Sequence, residues 1–298
     1  MDTGKFLEDG FCLITEGISK EMLNRLRTIA NEIENEALEL HHKGSALQGA
    51  CVTNDSVGPR VMRFDDLHLK YTDDLLNLLA TPSLLKLIKV YSGVTSVVLQ
   101  TDILYKHQHP HPVVKWHQDA PHSRNYPYLN VGIYLDDANL NDGCLSFVPK
   151  TQFKTQDLFE LETKYGWNPP GVVQQPAKAG DILIHDAMIL HSSAPKRSEG
   201  VRRTIYVEVR PIEAVLEDAH QDEKWALLRK QWMKEILKRD VTGVFTENEK
   251  AYFESEEIEI EDLMQQISEH RCAPLPSAYN FKEVSGPDYP VPADLQIS

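Results

Sequence analysis

One stretch decides how this chain is interpreted: Val113-Val114-Lys115-Trp116-His117-Gln118-Asp119. It is a short, mostly apolar run that ends in an imidazole and a carboxylate two positions apart. Residues i and i+2 of a β-strand project from the same face, so His117 and Asp119 are expected to point together into one space. Another apolar run carries a second histidine, His191. The pattern predicts that two strands bring two imidazoles and one carboxylate to a common site.

The region around these residues shows the apolar alternation of β-structure. Turn signals such as Asn141-Asp142-Gly143 separate the alternating runs. Eight short strands at this spacing predict a mainly β fold with a double-stranded β-helix core, the cupin-like jelly roll. The predicted strands lie near 97–105, 113–117, 129–135, 144–148, 171–175, 181–185, 188–193 and 203–210.

Helices are expected before this core. Ser19 can cap a helix that begins at Lys20, and Thr72 and Thr81 are predicted to cap two more. A short strand is expected near 10–14. The small, polar stretch 44–58 is expected to be a loop.

Helices are expected after the core as well. Trp225, Leu228, Trp232 and Ile236 recur at helical spacing, and a second helical segment is expected at 258–267. The whole chain is predicted to form a single domain over residues 1–298. It would comprise a mainly helical part (1–95), the jelly-roll core (96–212), and a helical extension with a Pro-rich tail (213–298). A helical insertion within the core, near 155–167, is expected to lie over the barrel mouth.

Composition excludes several classes of protein. A net charge of −14 argues against a nucleic-acid partner, which would require a basic stripe. The four cysteines form no C-x-x-C pair, which favours free thiols in a reducing compartment. Neither a signal peptide nor a membrane span is predicted, so the expected location is cytoplasmic.

Two histidines and one carboxylate with open coordination positions are the ligands of non-heme Fe(II) oxygenases. The alternative for His117 and Asp119 alone is a surface ion pair. The jelly-roll pattern and the second histidine favour the metal site.

An arginine follows the second histidine. The guanidinium of Arg202 suits a bidentate carboxylate, and Thr204 would share its strand face. Arg203 competes for this role, because alternation allows only one of the two arginines to face the barrel interior. The Arg-x-Thr spacing favours Arg202.

These residues resemble the phytanoyl-CoA dioxygenase family of Fe(II)/2-oxoglutarate-dependent dioxygenases. The resemblance covers about residues 4 to 212 and includes motifs outside the predicted triad. The similar stretches are Phe6-Leu7-Glu8-Asp9-Gly10-Phe11, Asp142-Gly143-Cys144-Leu145-Ser146-Phe147-Val148-Pro149, Ala179-Gly180-Asp181 and His191-Ser192-Ser193.

The resemblance implies a role for each matching position. His117, Asp119 and His191 would bind Fe(II), and Arg202 would bind the distal carboxylate of the co-substrate 2-oxoglutarate. The remaining positions implied to lie near the co-substrate are Gln118, Ser193, Thr204 and Arg63. Gly132 stands where relatives often have an aromatic residue, which implies a differently shaped pocket.

The other histidines are assigned to different places. His107, His109 and His111 are expected in a loop beside the active site, because prolines interrupt this tract. His122 could face substrate. His185 is expected to support the metal site or to lie in the core, and not to bind the metal.

The expected activity is hydroxylation of an unactivated C–H bond of a small molecule, with 2-oxoglutarate and O₂ converted to succinate and CO₂. Desaturation, epimerisation or ring formation by the same cofactor chemistry is one alternative. A non-catalytic jelly-roll metal-binding protein and a zinc hydrolase are two others. The sequence does not identify the substrate or the oligomeric state.

Overall fold

The computed structural model describes residues 3–55, 57–65, 67–108, 114–119, 126, 128–217 and 221–270. The expectations for His109, His111, His122 and the Pro-rich tail lie outside these residues.

The described strands number eleven. They are β1 (Phe11–Ile14), β2 (Ala50–Asp55), β3 (Gly58–Phe64), β4 (Ser96–His107), β5 (Val114–His117), β6 (Leu129–Tyr134), β7 (Leu145–Val148), β8 (Val173–Gln175), β9 (Ile182–Asp186), β10 (Leu190–Ser193) and β11 (Val201–Pro211).

The described α-helices flank these strands. They are α1 (Thr3–Asp9), α2 (Lys20–His42), α3 (Leu67–Lys70), α4 (Thr72–Leu79), α5 (Pro82–Leu87), α6 (Leu158–Tyr165), α7 (Ile212–Glu217), α8 (Glu223–Lys238), α9 (Glu247–Lys250) and α10 (Ile260–Glu269). A π-helical turn, Ile88–Ser92, follows α5, and a 3-10 turn, Ala251–Phe253, follows α9.

The strands form two antiparallel sheets, which confirms the predicted jelly roll. The large sheet has the order β1-β9-β6-β11-β4-β3-β2, and the small sheet has the order β5-β10-β7-β8. All eight predicted core strands are present. The short strand expected near 10–14 is present as β1.

The predicted loop at 44–58 is wrong. Residues 50–55 form β2, which pairs with β3 and extends the large sheet at its edge. This strand is hard to recognise because small and polar residues at a half-exposed edge lack the apolar alternation of a buried strand.

Of the three predicted helix N-caps, the structure confirms one by its side-chain hydrogen bond. Ser19 accepts a hydrogen bond from the backbone N–H of Met22, as an N-cap does. Thr72 does not cap α4; its hydroxyl donates to the carbonyl of His68. Thr81 occupies the N-cap position of α5 without a side-chain capping bond.

The two faces of the large sheet differ in chemistry. Its outer face joins the helices in one hydrophobic cluster that includes Ile103, Ile133 and Ile205. Tyr105 belongs to this face, since its hydroxyl donates to the carbonyl of Ala30 in α2 (2.9 Å). The inner face alternates with it and faces the small sheet. It carries polar residues, which marks the space between the sheets as the place for chemistry.

The helices after the core pack on the outer side. Trp225, Leu228, Trp232 and Ile236 of α8 are all buried, as their spacing predicted. The second predicted helix is present as α10. In the part of the chain that the structure describes, no helix is long and apolar enough to cross a membrane.

Candidate metal centre

The small sheet brings the two predicted histidines together. His117, the last residue of β5, is the direct register partner of His191 in β10, and their ring centroids are 4.1 Å apart. Asp119 follows β5, and its backbone N–H donates to the carbonyl of Ala187 (2.8 Å). One ligand atom from each of the three residues lies within 4.8 Å of the others. This geometry could hold one metal ion.

The backbone fixes the orientation of both imidazoles. His117 Nδ1 lies 2.7 Å from the carbonyl oxygen of Lys115, and His191 Nδ1 lies 2.9 Å from that of Ile189. Carbonyl oxygens only accept, so each Nδ1 carries a proton and Nε2 is the nitrogen that each ring can offer to a metal. This is the tautomer that a metal-binding histidine requires.

Both Nε2 atoms point at the same carboxylate. His117 Nε2 is 3.2 Å from Asp119 Oδ1, and His191 Nε2 is 3.6 Å from Asp119 Oδ2. Asn130 Nδ2 donates to Oδ2 (3.1 Å), and His185 Nε2 lies 3.5 Å from the same oxygen. The carboxylate is therefore positioned from the large sheet as well as from its own strand.

The electrostatics suit a ligand set. Burial acts to raise the pKa of Asp119, but His191, His117 and His185 outweigh burial and hold that pKa well below its usual value. Burial and the neighbouring His117 lower the pKa of His191 to about 3. Asp119 is therefore ionised and His191 neutral at pH 7. For His117, burial opposes protonation, but hydrogen bonding to Asp119 and its charge raise the pKa overall.

The site opens on one side. His117 and Asp119 keep 33% and 26% of their side-chain surface exposed, whereas His191 keeps 5%. The helical insertion predicted near 155–167 is present as α6 and lies beside β5: Trp116 Nε1 donates to the carbonyl of Gly166 (3.0 Å). The side of the site formed by His117 and Asp119 is therefore the more accessible one.

Arg202 lies in the interior behind the triad. It is 2% exposed, its Nη1 donates to the carbonyl of Gly143 (3.0 Å), and its Cζ is 5.7 Å from the ring centroid of Tyr134. Ser193 lies beside it, with its hydroxyl donating to the same Gly143 carbonyl (2.8 Å). Thr204, fully buried, follows Arg202 on the inner face.

Arg203 faces the other way. Its Nε and Nη2 donate to the two oxygens of Asp136, at 2.7 and 2.9 Å, and its Nη1 donates to Asn31 of α2. Its guanidinium is thus held on the outer face, which leaves Arg202 as the arginine of the interior.

The amide of Gln118 is engaged by backbone groups, and its predicted position beside the co-substrate stays a prediction. Its Nε2 donates to the carbonyls of Met188 and Lys154, and its Oε1 accepts from the backbone N–H of Gln156 (2.8 Å). Alternation turns this side chain away from His117 and Asp119, so its amide connects the surrounding loops.

Arg63 is held by a neighbouring carboxylate. Its Nε lies 2.6 Å from Asp65 Oδ1. Both residues line a small cavity beside β4, together with Asp102, Arg229 and Trp232. Its predicted contact with the co-substrate stays a prediction.

The space beside Gly132 is filled by neighbouring aromatic residues. A Cβ at this position would lie 3.1 Å from Tyr206 Cε1 and 3.5 Å from Tyr134 Cε2. The two tyrosines on β11 and β6 supply the aromatic surface that position 132 lacks.

The structure also shows where His185 and His107 lie. His185 is 1% exposed and its ring centroid lies 4.7 Å from that of His191, consistent with a supporting role. His107 belongs to β4 and not to a loop; its Nε2 lies 3.0 Å from the carbonyl oxygen of Val61.

Sequence reasoning missed Asn130 and Lys106. Asn130 stands in an apolar strand, and this single polar residue was the available signal. Lys106 is buried on the inner face at a position that alternation with Tyr105 could have assigned.

The jelly roll and its His-Asp-His cluster define a class of protein, the non-heme oxygenases with two histidine ligands and one carboxylate. The chain belongs to the phytanoyl-CoA dioxygenase (PhyH) family, whose model matches residues 6–204. It is therefore an enzyme, an oxidoreductase. Among curated proteins, no sequence matches significantly.

Solved structures share the fold. EvdMO1 is 25% identical with a TM-score of 0.59, and the match covers 70% of this chain and 48% of that chain. AviO1 from Streptomyces viridochromogenes is 24% identical with a TM-score of 0.58, covering 70% and 92%. SnoN, a non-heme alpha ketoglutarate dependent epimerase from nogalamycin biosynthesis, is 19% identical with a TM-score of 0.54, covering 70% and 80%. This chain thus spans about half the length of EvdMO1.

Proposed function

We propose that this protein is an Fe(II)- and 2-oxoglutarate-dependent dioxygenase that hydroxylates an unactivated C–H bond of a small molecule. The observation that carries the proposal is the convergence of His117 Nε2, His191 Nε2 and the Asp119 carboxylate within 4.8 Å, with a buried guanidinium behind them. Two imidazoles that offer Nε2 and one carboxylate fit Fe(II) and leave positions for a chelating 2-oxo acid and O₂.

The residues of the chain would divide the work. His117, His191 and Asp119 hold the metal, and Asn130 and His185 orient the carboxylate. Arg202 binds the distal carboxylate of 2-oxoglutarate, with Ser193 and Thr204 beside it. Bound iron supplies the activation of O₂, coupled to conversion of 2-oxoglutarate to succinate and CO₂, with the second oxygen atom entering the substrate.

The burial of Arg202 would strengthen the ionic contact between its guanidinium and the distal carboxylate of 2-oxoglutarate. An arginine–carboxylate pair is stronger in a site that excludes water than at the surface. Arg202 lies on the large sheet and the histidines lie on the small sheet, so the distance between the two sheets sets the length of the co-substrate that fits. This arrangement supports 2-oxoglutarate over a simple metal-binding role, for which a buried arginine would have no use.

The same site supports a second outcome. The relative SnoN is described as an epimerase that depends on the same co-substrate, and hydrogen abstraction by such a site can end without oxygen transfer. The part of the pocket that contacts the substrate would decide between hydroxylation and epimerisation.

Co-substrate turnover with candidate substrates tests the proposal. Purified protein, Fe(II) and 2-oxoglutarate are incubated with a metabolite library, and succinate and products are measured by mass spectrometry. A product with one added oxygen atom supports hydroxylation. A product of unchanged mass indicates epimerisation. A product that has lost two hydrogens indicates desaturation or ring formation. Metal-dependent hydrolysis without use of 2-oxoglutarate would contradict the assignment and support a zinc hydrolase.

A further inference from the structure

Lys106 and Arg202 form a pair of buried cations on the inner face of the large sheet. They are direct register partners on β4 and β11. Their sequence neighbours Tyr105 and Arg203 both contact residues of α2 on the outer face. Alternation therefore turns Lys106 and Arg202 inward together.

Both cations are enclosed. Lys106 is 1% exposed and Arg202 is 2% exposed. The stem of Lys106 packs against Gly143, where a Cβ would lie 2.7 Å from Lys106 Cε. Gly143 also has a φ of +81°, so both its conformation and the lysine stem require glycine at this position.

The two side chains converge on one small region of backbone. Lys106 Nζ donates to the carbonyl of Ser193 (3.2 Å), and Arg202 Nη1 donates to that of Gly143 (3.0 Å). The Ser193 hydroxyl connects the two by donating to the Gly143 carbonyl (2.8 Å). Ser193 is two residues from His191 and shares its strand, so the paired cations lie beside the metal centre.

The turn that carries Gly143 is fixed in place. Asp142 Oδ1 accepts from the backbone N–H groups of Arg197 and Ser198, each at 2.7 Å. Lys196 is buried and lies 3.6 Å from Asp142 Oδ2. The carboxylate of Asp142 is therefore engaged on the far side of the turn.

Two adjacent buried cations are costly without a compensating anion. Within the described part of the chain, Lys106 makes no ion pair, and its bond goes to a neutral carbonyl. Burial and the charge of Arg202 lower the pKa of Lys106 well below its usual value, and a carboxylate between the two cations would reverse that effect. The surroundings therefore favour an anionic ligand.

We propose that Lys106 is a second co-substrate-binding residue, which together with Arg202 selects 2-oxo acids that carry a distal carboxylate. This inference rests on the proposed function. Lys106 would move its hydrogen bond from the Ser193 carbonyl to the carboxylate, while Arg202 holds the other carboxylate oxygen. The alternative is that Lys106 only connects β4 to β10.

Calorimetric titration of the Mn(II)-loaded full chain separates these roles without turnover. The probes are 2-oxoglutarate and 2-oxobutyrate, which share the metal-chelating group but differ in the distal carboxylate. Lys106→Met keeps the stem that packs on Gly143 and removes the charge. Lys234→Met, on α8, removes an equal charge far from the site and serves as the control.

We expect Lys106→Met to weaken 2-oxoglutarate binding by about 10- to 100-fold, the effect of losing a charge-assisted hydrogen bond. Binding of 2-oxobutyrate should stay within about 2-fold of wild type, and the control should bind both acids normally. Equal weakening of both acids, or none, would overturn the inference and leave the proposed function intact. Failure of the wild type to bind 2-oxoglutarate would instead contradict the proposed function.

A second measurement covers the case in which Lys106→Met does not fold. A crystal structure of the wild-type protein with Mn(II) and 2-oxoglutarate should place Lys106 Nζ within about 3.2 Å of the distal carboxylate. Nζ still bonded to the Ser193 carbonyl, with the carboxylate on Arg202 alone, would overturn the inference.

Discussion

His117 and His191 are register partners across β5 and β10, and each Nδ1 is bonded to the carbonyl of the residue two positions earlier. The backbone of two paired strands therefore sets both the spacing of the imidazoles and the nitrogen each presents. The site is organised before any ligand binds, which lowers the cost of ordering it.

Loss of a triad residue should strongly weaken metal binding. His191→Ala, Asp119→Ala and His117→Ala are each expected to weaken Fe(II) binding by more than about 100-fold, beyond the effect of changing a supporting residue. Anaerobic metal titration measures this, with exposed His42→Ala as the control. A His191→Ala variant with normal metal content would show that the ligands are assigned incorrectly.

Asn130→Ala tests the orientation of the carboxylate. The amide donates to Asp119 Oδ2, so its loss should weaken Fe(II) binding by about 10- to 100-fold while the fold persists. Asn168→Ala, at an exposed position beyond α6, is the matched control. Metal affinity equal to that of wild type would mean that Asn130 does not position the carboxylate of Asp119.

Substitutions of Arg202 and Arg203 should have different effects, the first on 2-oxoglutarate binding and the second on stability. Arg202→Met is expected to weaken 2-oxoglutarate binding by about 2–5 kcal/mol, roughly 30-fold or more. Arg203→Met breaks the paired contact with Asp136 and should lower the free energy of unfolding by about 1–3 kcal/mol with little effect on co-substrate binding. Calorimetry measures the binding of 2-oxoglutarate, and denaturant unfolding measures stability. Weaker binding in Arg203→Met with normal binding in Arg202→Met would refute the assignment of Arg202 as the co-substrate arginine.

His107 should make stability depend on pH. Burial lowers its pKa to about 4, whereas an unfolded histidine titrates near 6.5. Between these values the unfolded chain binds the proton more readily, so the free energy of unfolding falls as pH falls through this window. The loss should reach about 2–3 kcal/mol near pH 4.

The control for that effect is His107→Gln, which should flatten the dependence between pH 6.5 and 4. Glu34 lies 3.6 Å from His107 and has a raised pKa, which acts in the opposite direction. Comparing the variant with wild type isolates the histidine. If the free energy of unfolding depended on pH in the same way in His107→Gln and in wild type, the pH effect would not come from His107.

Asp119→Gly should convert the carboxylate position into a site for an anion. Two imidazoles and a chelating 2-oxo acid can still hold Fe(II) weakly, and the variant loses one negative charge. Chloride should therefore raise its apparent metal affinity, and hydroxylation should be lost. Metal titration with and without chloride tests this. Unchanged iron affinity together with unchanged hydroxylation would exclude Asp119 as a ligand.

The sequence predicts the core well because the inner and outer faces of the strands differ. Alternation locates all eight core strands, and the i, i+2 rule places His117 and Asp119 together. It does not locate β2, whose half-exposed edge needs no alternating pattern. Beyond the core, local patterns locate helices such as α2, α8 and α10, but they do not show how these helices pack on the sheet.

The site is predictable only in part, for a similar reason. The ligands stand in recognisable motifs, but Gln118 bonds to loops, and Lys106 to a strand, that are distant in sequence. Lys106 is close to Gly143 because two sheets pack face to face, and Tyr206 fills the space at Gly132 because β11 pairs with β6. Such contacts follow from topology and not from spacing.

The most direct test is sequential titration of the wild-type protein under anaerobic conditions, first with Fe(II) and then with 2-oxoglutarate. The proposed site predicts one equivalent of metal per chain and one equivalent of 2-oxoglutarate that binds only after the metal. It also predicts that the second step is weakened roughly 30-fold or more in Arg202→Met. Stoichiometric metal binding in the wild type with no subsequent binding of 2-oxoglutarate would contradict the proposal.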